Sequence, residues 1–145
     1  MRKYKSGTIW CFWRWTEVDS EYIGRLHVVK TPWFAICLHW IKKPDPEPFL
    51  HDHPVSFLSV ILRGGYTDEV LKWVYGTVPL HYRSKNRWLH WIPGTEDFCH
   101  TIREVRPNTL TLCFMGPKTR EWGFHTDTGW VMWKDYYAAK RASAA

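Results

Sequence analysis

The four cysteines, Cys11, Cys37, Cys99 and Cys113, include no C-x-x-C pair. That excludes a zinc ribbon, whose ligands come in such pairs. Three of them sit inside apolar runs, which reads as buried free thiols in a reducing cytosol. No apolar run is long enough to span a membrane. The basic start, Met1-Arg2-Lys3-Tyr4-Lys5, is not followed by the apolar stretch of a signal peptide. A repeat of fixed period is missing, and so is any low-complexity segment, which argues against a solenoid or a disordered chain. Blocks of like charge are missing too. Lys and Arg exceed Asp and Glu for a net charge of +6, but they are scattered. The densest group, Arg83, Lys85 and Arg87, reads as solvated surface rather than a nucleic-acid footprint.

What is abundant is aromatic. Eleven tryptophans in 145 residues, with aromatics at 17%, indicate a packed globular chain, most simply one domain over residues 1–145. Short apolar runs separated by turn residues predict strands at Thr8–Trp15, Tyr22–Lys30, Trp33–Ile41, Phe49–His53, Phe57–Arg63 and Tyr66–Val74. They continue at Val78–Arg83, Trp88–Ile92, His100–Val105, Thr109–Met115 and Trp122–Thr126. Gly64-Gly65, Pro93-Gly94 and Gly116-Pro117 are among the punctuating turns. The pattern predicts an all-β sandwich or closed barrel with its core at about 8–126. One helix is expected, at about Lys134–Arg141, its ends suited to the helix dipole. The tryptophans are expected mostly in the core or barrel wall.

The chemistry concentrates at His51-Asp52-His53-Pro54. On a strand, two His separated by one residue point the same way, so both imidazoles can reach one metal ion. The Pro-rich loop Lys42 to Pro48 precedes them and is placed at the barrel mouth. His100 follows the Pro93-Gly94 turn and is the candidate third ligand; His90 is its rival. Metal binding is favoured over a loop-capping pair because the elements occur in a mutually consistent order. A carboxylate could join them from the next strand. With Gly64-Gly65 as a two-residue hairpin turn and Leu58, Val60 and Leu62 pointing inward, Val60 faces Glu69, which becomes a fourth ligand or base. Tyr66, His90, Arg103 and His125 are candidate substrate contacts.

The segment His51-Asp52-His53, an apolar strand and Gly64-Gly65 resembles the first motif of the cupin superfamily, H-x-H, a Glu, then Gly. Pro93-Gly94 with His100 resembles the second, P-x-G-x-x-H. The resemblance implies an all-β, single-domain double-stranded β-helix, or jelly-roll barrel, with a divalent metal inside. The second half, with Trp122-Gly123-Phe124-His125 and Gly129-Trp130-Val131-Met132-Trp133, also resembles small cupin-like proteins of phage and bacteria. Two departures stand out. The family Glu position falls at Phe57 or Leu58, neither of which binds metal, and His100 lies two residues beyond the family spacing.

These features imply a three-His centre for one divalent metal, Fe(II) first, with Zn(II) or Ni(II) as alternatives. Two functional classes follow. One is a metal-dependent enzyme acting on a small molecule, in its most concrete form a three-His non-haem iron dioxygenase. The other is a non-catalytic cupin that binds a sugar or nucleotide in an aromatic-lined pocket, which the missing Glu favours. A homodimer through sheet edges is implied by the resemblance. A membrane or nucleic-acid partner is not expected, and the expected location is cytoplasmic.

Overall fold

The computed structural model describes the backbone of residues 11–19 and 21–144, and the side chains of residues 21–144. The first strand is β1 (Cys11–Asp19), so the expected start at Thr8 lies outside the described residues. It is followed by β2 (Ile23–Lys30), β3 (Ala35–Ile41), β4 (Leu50–His51), β5 (Phe57–Arg63) and β6 (Tyr66–Val74). Next come β7 (Val78–Asn86), β8 (Leu89–Ile92), β9 (Phe98–Val105), β10 (Thr109–Met115) and β11 (Gly123–Thr126). β12 (Gly129–Met132) and helix α1 (Trp133–Ser143) end the described chain. β12 was not expected. It is a short hairpin partner of β11 whose four residues are too few to show an alternating pattern.

The strands form two six-stranded sheets, β1-β2-β3-β10-β5-β8 and β12-β11-β4-β9-β6-β7, with antiparallel pairing throughout. We call them the first and second sheets. Facing each other, they make a jelly-roll barrel, as expected for a cupin-type fold.

Two apolar clusters fill the interior. One is Ile23, Ile41, Ile61, Tyr66 and Ile102; the other is Phe57, Val70, Ile92, Phe98 and Cys113. On β5 Ser59 falls between Phe57 of one cluster and Ile61 of the other. On β6 Asp68 falls between Tyr66 and Val70, and on β9 His100 falls between Phe98 and Ile102. Period-two alternation thus lays a polar belt across the barrel, with apolar layers on both sides.

The expected hairpin at Gly64-Gly65 does not form. β5 pairs with β8 and β10, while β6 pairs with β7 and β9, so these glycines carry the chain from one sheet to the other. Gly64 has φ +79°, and a Cβ there would lie 2.4 Å from Thr109 Oγ1. The Thr109 hydroxyl ties the corner by accepting from the Gly65 amide at 3.1 Å.

The inward face of β5 is also the reverse of the expected one. Phe57, Ser59 and Ile61 are buried, whereas Leu58, Val60 and Leu62 face outward. Their neighbours continue the outward apolar pattern. One cross-strand row runs Ile36, Phe114, Leu58, Trp91, and the next runs Leu38, Leu112, Val60, Leu89. The tryptophans follow suit: Trp33, Trp40, Trp88, Trp91 and Trp130 are exposed, and none with a described side chain belongs to the core.

Candidate metal centre

β4 is short and lies between β9 and β11, so His51 pairs directly with His100 on one side and Phe124 on the other. Paired residues share a face, which turns all three rings into the barrel. The strand ends at His51, so strand alternation does not place His53. Asp52 does so instead. It is fully buried, and its carboxylate accepts from the Gly123 amide at 2.7 Å, Arg120 Nη1 at 2.6 Å and Trp130 Nε1 at 3.0 Å. With Asp52 anchored outward against these groups, His53 turns inward beside His51.

One nitrogen from each of His51, His53 and His100 lies within 4.8 Å of the other two. Nε2 of His53 and Nε2 of His100 are 2.7 Å apart. His51 and His53 are half-buried and His100 is buried. Burial and the neighbouring His100 hold His51 well below its usual range, at about 4. Burial, His100 and His51 do the same for His53. Both rings therefore keep an unprotonated nitrogen at neutral pH, as a metal ligand must. Trp122, Phe124 and Phe57 wall the group, with ring centroids 6.0 Å and 6.1 Å from His51 and 5.1 Å from His53 respectively.

Behind His100 sits Asp68, which the sequence reasoning passed over. It is fully buried, and its Oδ2 lies 3.2 Å from His100 Nδ1. The two form a buried charge contact. The same oxygen lies 3.2 Å from His90 Nδ1 and accepts from Asn86 Nδ2 at 3.1 Å. Burial alone would lower the His100 pKa, but the charge of Asp68, hydrogen bonding to it and the charge of Asp45 together outweigh burial and the value is raised. A carboxylate on the far nitrogen of a ligating His fixes its ring orientation and raises its basicity. His90 is lowered by burial despite Asp68. Its Nδ1 also lies 3.0 Å from the buried Tyr66 hydroxyl. Tyr66 and His90 thus belong to the belt that carries the three His.

The remaining candidates point elsewhere. Glu69 follows Asp68 on β6 and takes the opposite face. Its carboxylate accepts from Arg103 Nε at 2.6 Å and lies 2.8 Å from His81 Nε2. Arg103 also donates to the Pro48 carbonyl at 3.2 Å. Glu69 therefore lies away from the three His, and the pairing that turned it inward does not exist. His125 alternates with Phe124 and packs on Trp73, ring centroids 5.3 Å apart, on the outer face. Cys99 likewise turns away from its neighbour His100, its thiol 3.6 Å from the Leu71 carbonyl. On the first sheet, His39 accepts from Arg25 Nε at 2.9 Å and lies 3.4 Å from Cys113 Sγ, which satisfies both ring nitrogens.

The loop before His51 is tied down at both ends. Asp45 accepts from the Ile102 amide at 2.6 Å and from the Tyr22 hydroxyl. Glu47 accepts from Tyr136 at 2.8 Å and from Lys140 at 2.7 Å, both on α1. The helix thus braces the loop that leads to the His pair.

No family model matches the sequence, and no curated protein does. Solved structures match. KdgF from a Halomonas species aligns with a TM-score of 0.51 at 17% identity, over 73% of this chain and 89% of that one. An RmlC-like cupin from Shewanella frigidimarina aligns at 0.46 and 13% identity, over 83% of this chain and 95% of that one. A variant of Streptomyces PAC13 with uridine aligns at 0.49 and 11% identity, over 86% and 91% respectively. The fold is of the cupin type, a jelly-roll barrel with a short C-terminal helix, and its interior three-His cluster can hold a metal ion.

Proposed function

We propose that His51, His53 and His100 hold one divalent metal ion and that this centre acts on a small molecule. The observation that carries the reading is the convergence of three ring nitrogens within 4.8 Å inside the barrel, with no carboxylate among them. Three neutral imidazoles suit Fe(II), Zn(II) or Ni(II) and leave coordination positions open. Fe(II) is preferred, for dioxygenase-type chemistry. When bound, such an ion supplies Lewis acidity and, if iron, redox chemistry. The chain's own contribution is to orient and to exclude water. Asp68 aligns His100, Asp52 sets His53, and Trp122, Phe124 and Phe57 keep the site dry. His90, beside Asp68, and Tyr66, bonded to His90, would meet a substrate. Glu69, Arg103 and His125 have no part in this reading. Three buried free thiols suit a reducing compartment such as the cytoplasm.

Elemental analysis of the purified protein beside His51→Ala/His53→Ala tests the reading. Near-stoichiometric metal in the wild type and its loss in the variant is the expected result. If the wild type stays metal-free after anaerobic Fe(II) or Zn(II) addition, the centre is not a metal site. The second reading, a non-catalytic barrel that binds a sugar or nucleotide, then takes its place. That reading draws on the missing carboxylate ligand.

A further inference from the structure

Arg103, the arginine expected to meet a substrate, lies on the outside of the second sheet. A different arginine lies inside. On β2 the inward residues are Ile23, Arg25 and His27; Ile23 belongs to an interior apolar cluster and His27 is buried. Arg25 pairs across the strands with His39, and His39 pairs with the buried Thr111 of β10, so the three share the inner face of the first sheet. The contact is direct: Arg25 Nε donates to His39 Nε2 at 2.9 Å. Burial first, and then the charge of Arg25, hold His39 well below its usual range, so its ring is neutral. With Nε2 accepting, the one ring proton sits on Nδ1, which faces Cys113 Sγ at 3.4 Å. His39 is thus fixed from both sides and holds the guanidinium in place.

The two sheets face each other, so Arg25 looks across the interior toward β4 and β9, which carry His51 and His100. Its charge reaches the centre: burial, His100 and His51 hold His53 low, and Arg25 adds to them. We propose that Arg25 anchors an acid group of the substrate, a carboxylate or a phosphate, while another part of the same molecule meets the three His. This rests on the reading of that centre given above. A guanidinium is always charged and presents five N–H donors in a planar fork, which matches a carboxylate or phosphate two bonds at a time. Such a bidentate pair is stronger than a bond to a neutral acceptor, so an acid prevails for the fork. A divalent ion on three neutral imidazoles would leave the centre cationic as well. Anchor and centre of the same sign select an anion, and two points of attachment orient it before it reacts.

Isothermal titration of the metal-free protein with acetate, inorganic phosphate and uncharged acetamide, at constant ionic strength, tests this. The wild type is expected to bind at least one of the two anions, one per chain, and to bind acetamide far more weakly. A preference for acetate assigns a carboxylic acid, and a preference for phosphate assigns a phosphate ester. Arg25→Gln is expected to weaken the binding about tenfold or more. Arg25→Lys is expected to fall in between, because it keeps the charge and loses the fork. Arg83→Gln, on the exposed strand β7, is expected to bind as the wild type does. If near-ultraviolet circular dichroism shows that Arg25→Gln fails to fold, Arg25→Lys decides, with binding about threefold weaker as the expected result. A wild type that binds neither anion better than acetamide overturns the proposal. So does an affinity that Arg25→Gln and Arg25→Lys leave unchanged, or one lost in Arg83→Gln, which would mark an adventitious ion only. The titration uses no metal, so failure of the anchor and failure of the metal centre are separate results.

Discussion

On the second sheet charge lies on both faces. Asp68 and His100 look into the barrel, while Glu69 and Arg103, one residue further along β6 and three along β9, pair on the outside. On the first sheet polar and apolar groups both look in, and the outward rows across β3, β10, β5 and β8 are apolar. The second sheet holds His51 and His100, beside carboxylates that are themselves held on several sides. The first contributes a closing wall. The difference shows that a strand's apolar face cannot be equated with its inner face: β5 turns Leu58, Val60 and Leu62 outward, with Leu62 exposed, and buries a serine. Which side becomes interior is decided by the sheet as a whole and by what packs against each side.

The sharpest way to break this contrast is to remove a carboxylate from the second sheet. Asp52→Ala leaves the Gly123 amide, the Trp130 indole and Arg120 without their shared acceptor. Breaking such a buried pair costs about 3–5 kcal/mol. Urea denaturation should show that loss, and metal binding should fall with it, because His53 loses its anchor.

Asp68→Ala is expected to act on the site more than on the fold. Loss of an outer carboxylate on a ligating His typically weakens metal binding about 10–100-fold. Competition with a calibrated chelator, set beside the unfolding curve, separates the two effects; an unchanged affinity would refute the role given to Asp68.

Next comes the corner that hands the chain between the sheets. Gly64→Ala puts a Cβ against Thr109 at a positive φ and is expected to cost about 1–3 kcal/mol, read as a lower thermal midpoint.

The smallest effect belongs to the outer face of the second sheet. Hydrogen bonding to Arg103 lowers the Glu69 pKa below its ordinary 4.5. A depressed carboxylate contributes stability above the unfolded pKa and loses it as pH falls through the folded value. Wild type and Glu69→Gln should therefore differ by at most about 1 kcal/mol near neutrality. The gap should close as pH drops below 4.5, and a constant gap down to strongly acid pH would exclude this origin.

Much of the fold was legible. β5, β6 and β10 begin and end where alternation and turn residues put them, and α1 differs from its expected span by a residue or two at each end. His51, His53 and His100 were legible from spacing and resemblance, and they do come together. The inward carboxylate of β6 is Asp68, one residue before Glu69. Turning Glu69 inward required Gly64-Gly65 to be a hairpin and Val60 to face inward. Both follow from local rules, and both fail because the chain changes sheets at that corner. Asp52 was hidden for another reason. It sits between the two His in the sequence, but its partners lie 68 to 78 residues away, and no local pattern reports them.

That separation also orders events in time. As the chain is synthesised, His51 and His53 emerge long before Arg120, Gly123 and Trp130, and β4 cannot be flanked on both sides until β11 exists. Two of the three imidazoles are therefore among the early parts of the molecule, while the arrangement of all three is among the last things to form. A nascent chain stalled before β11 would hold all three His and still lack their finished arrangement, which belongs to the completed barrel.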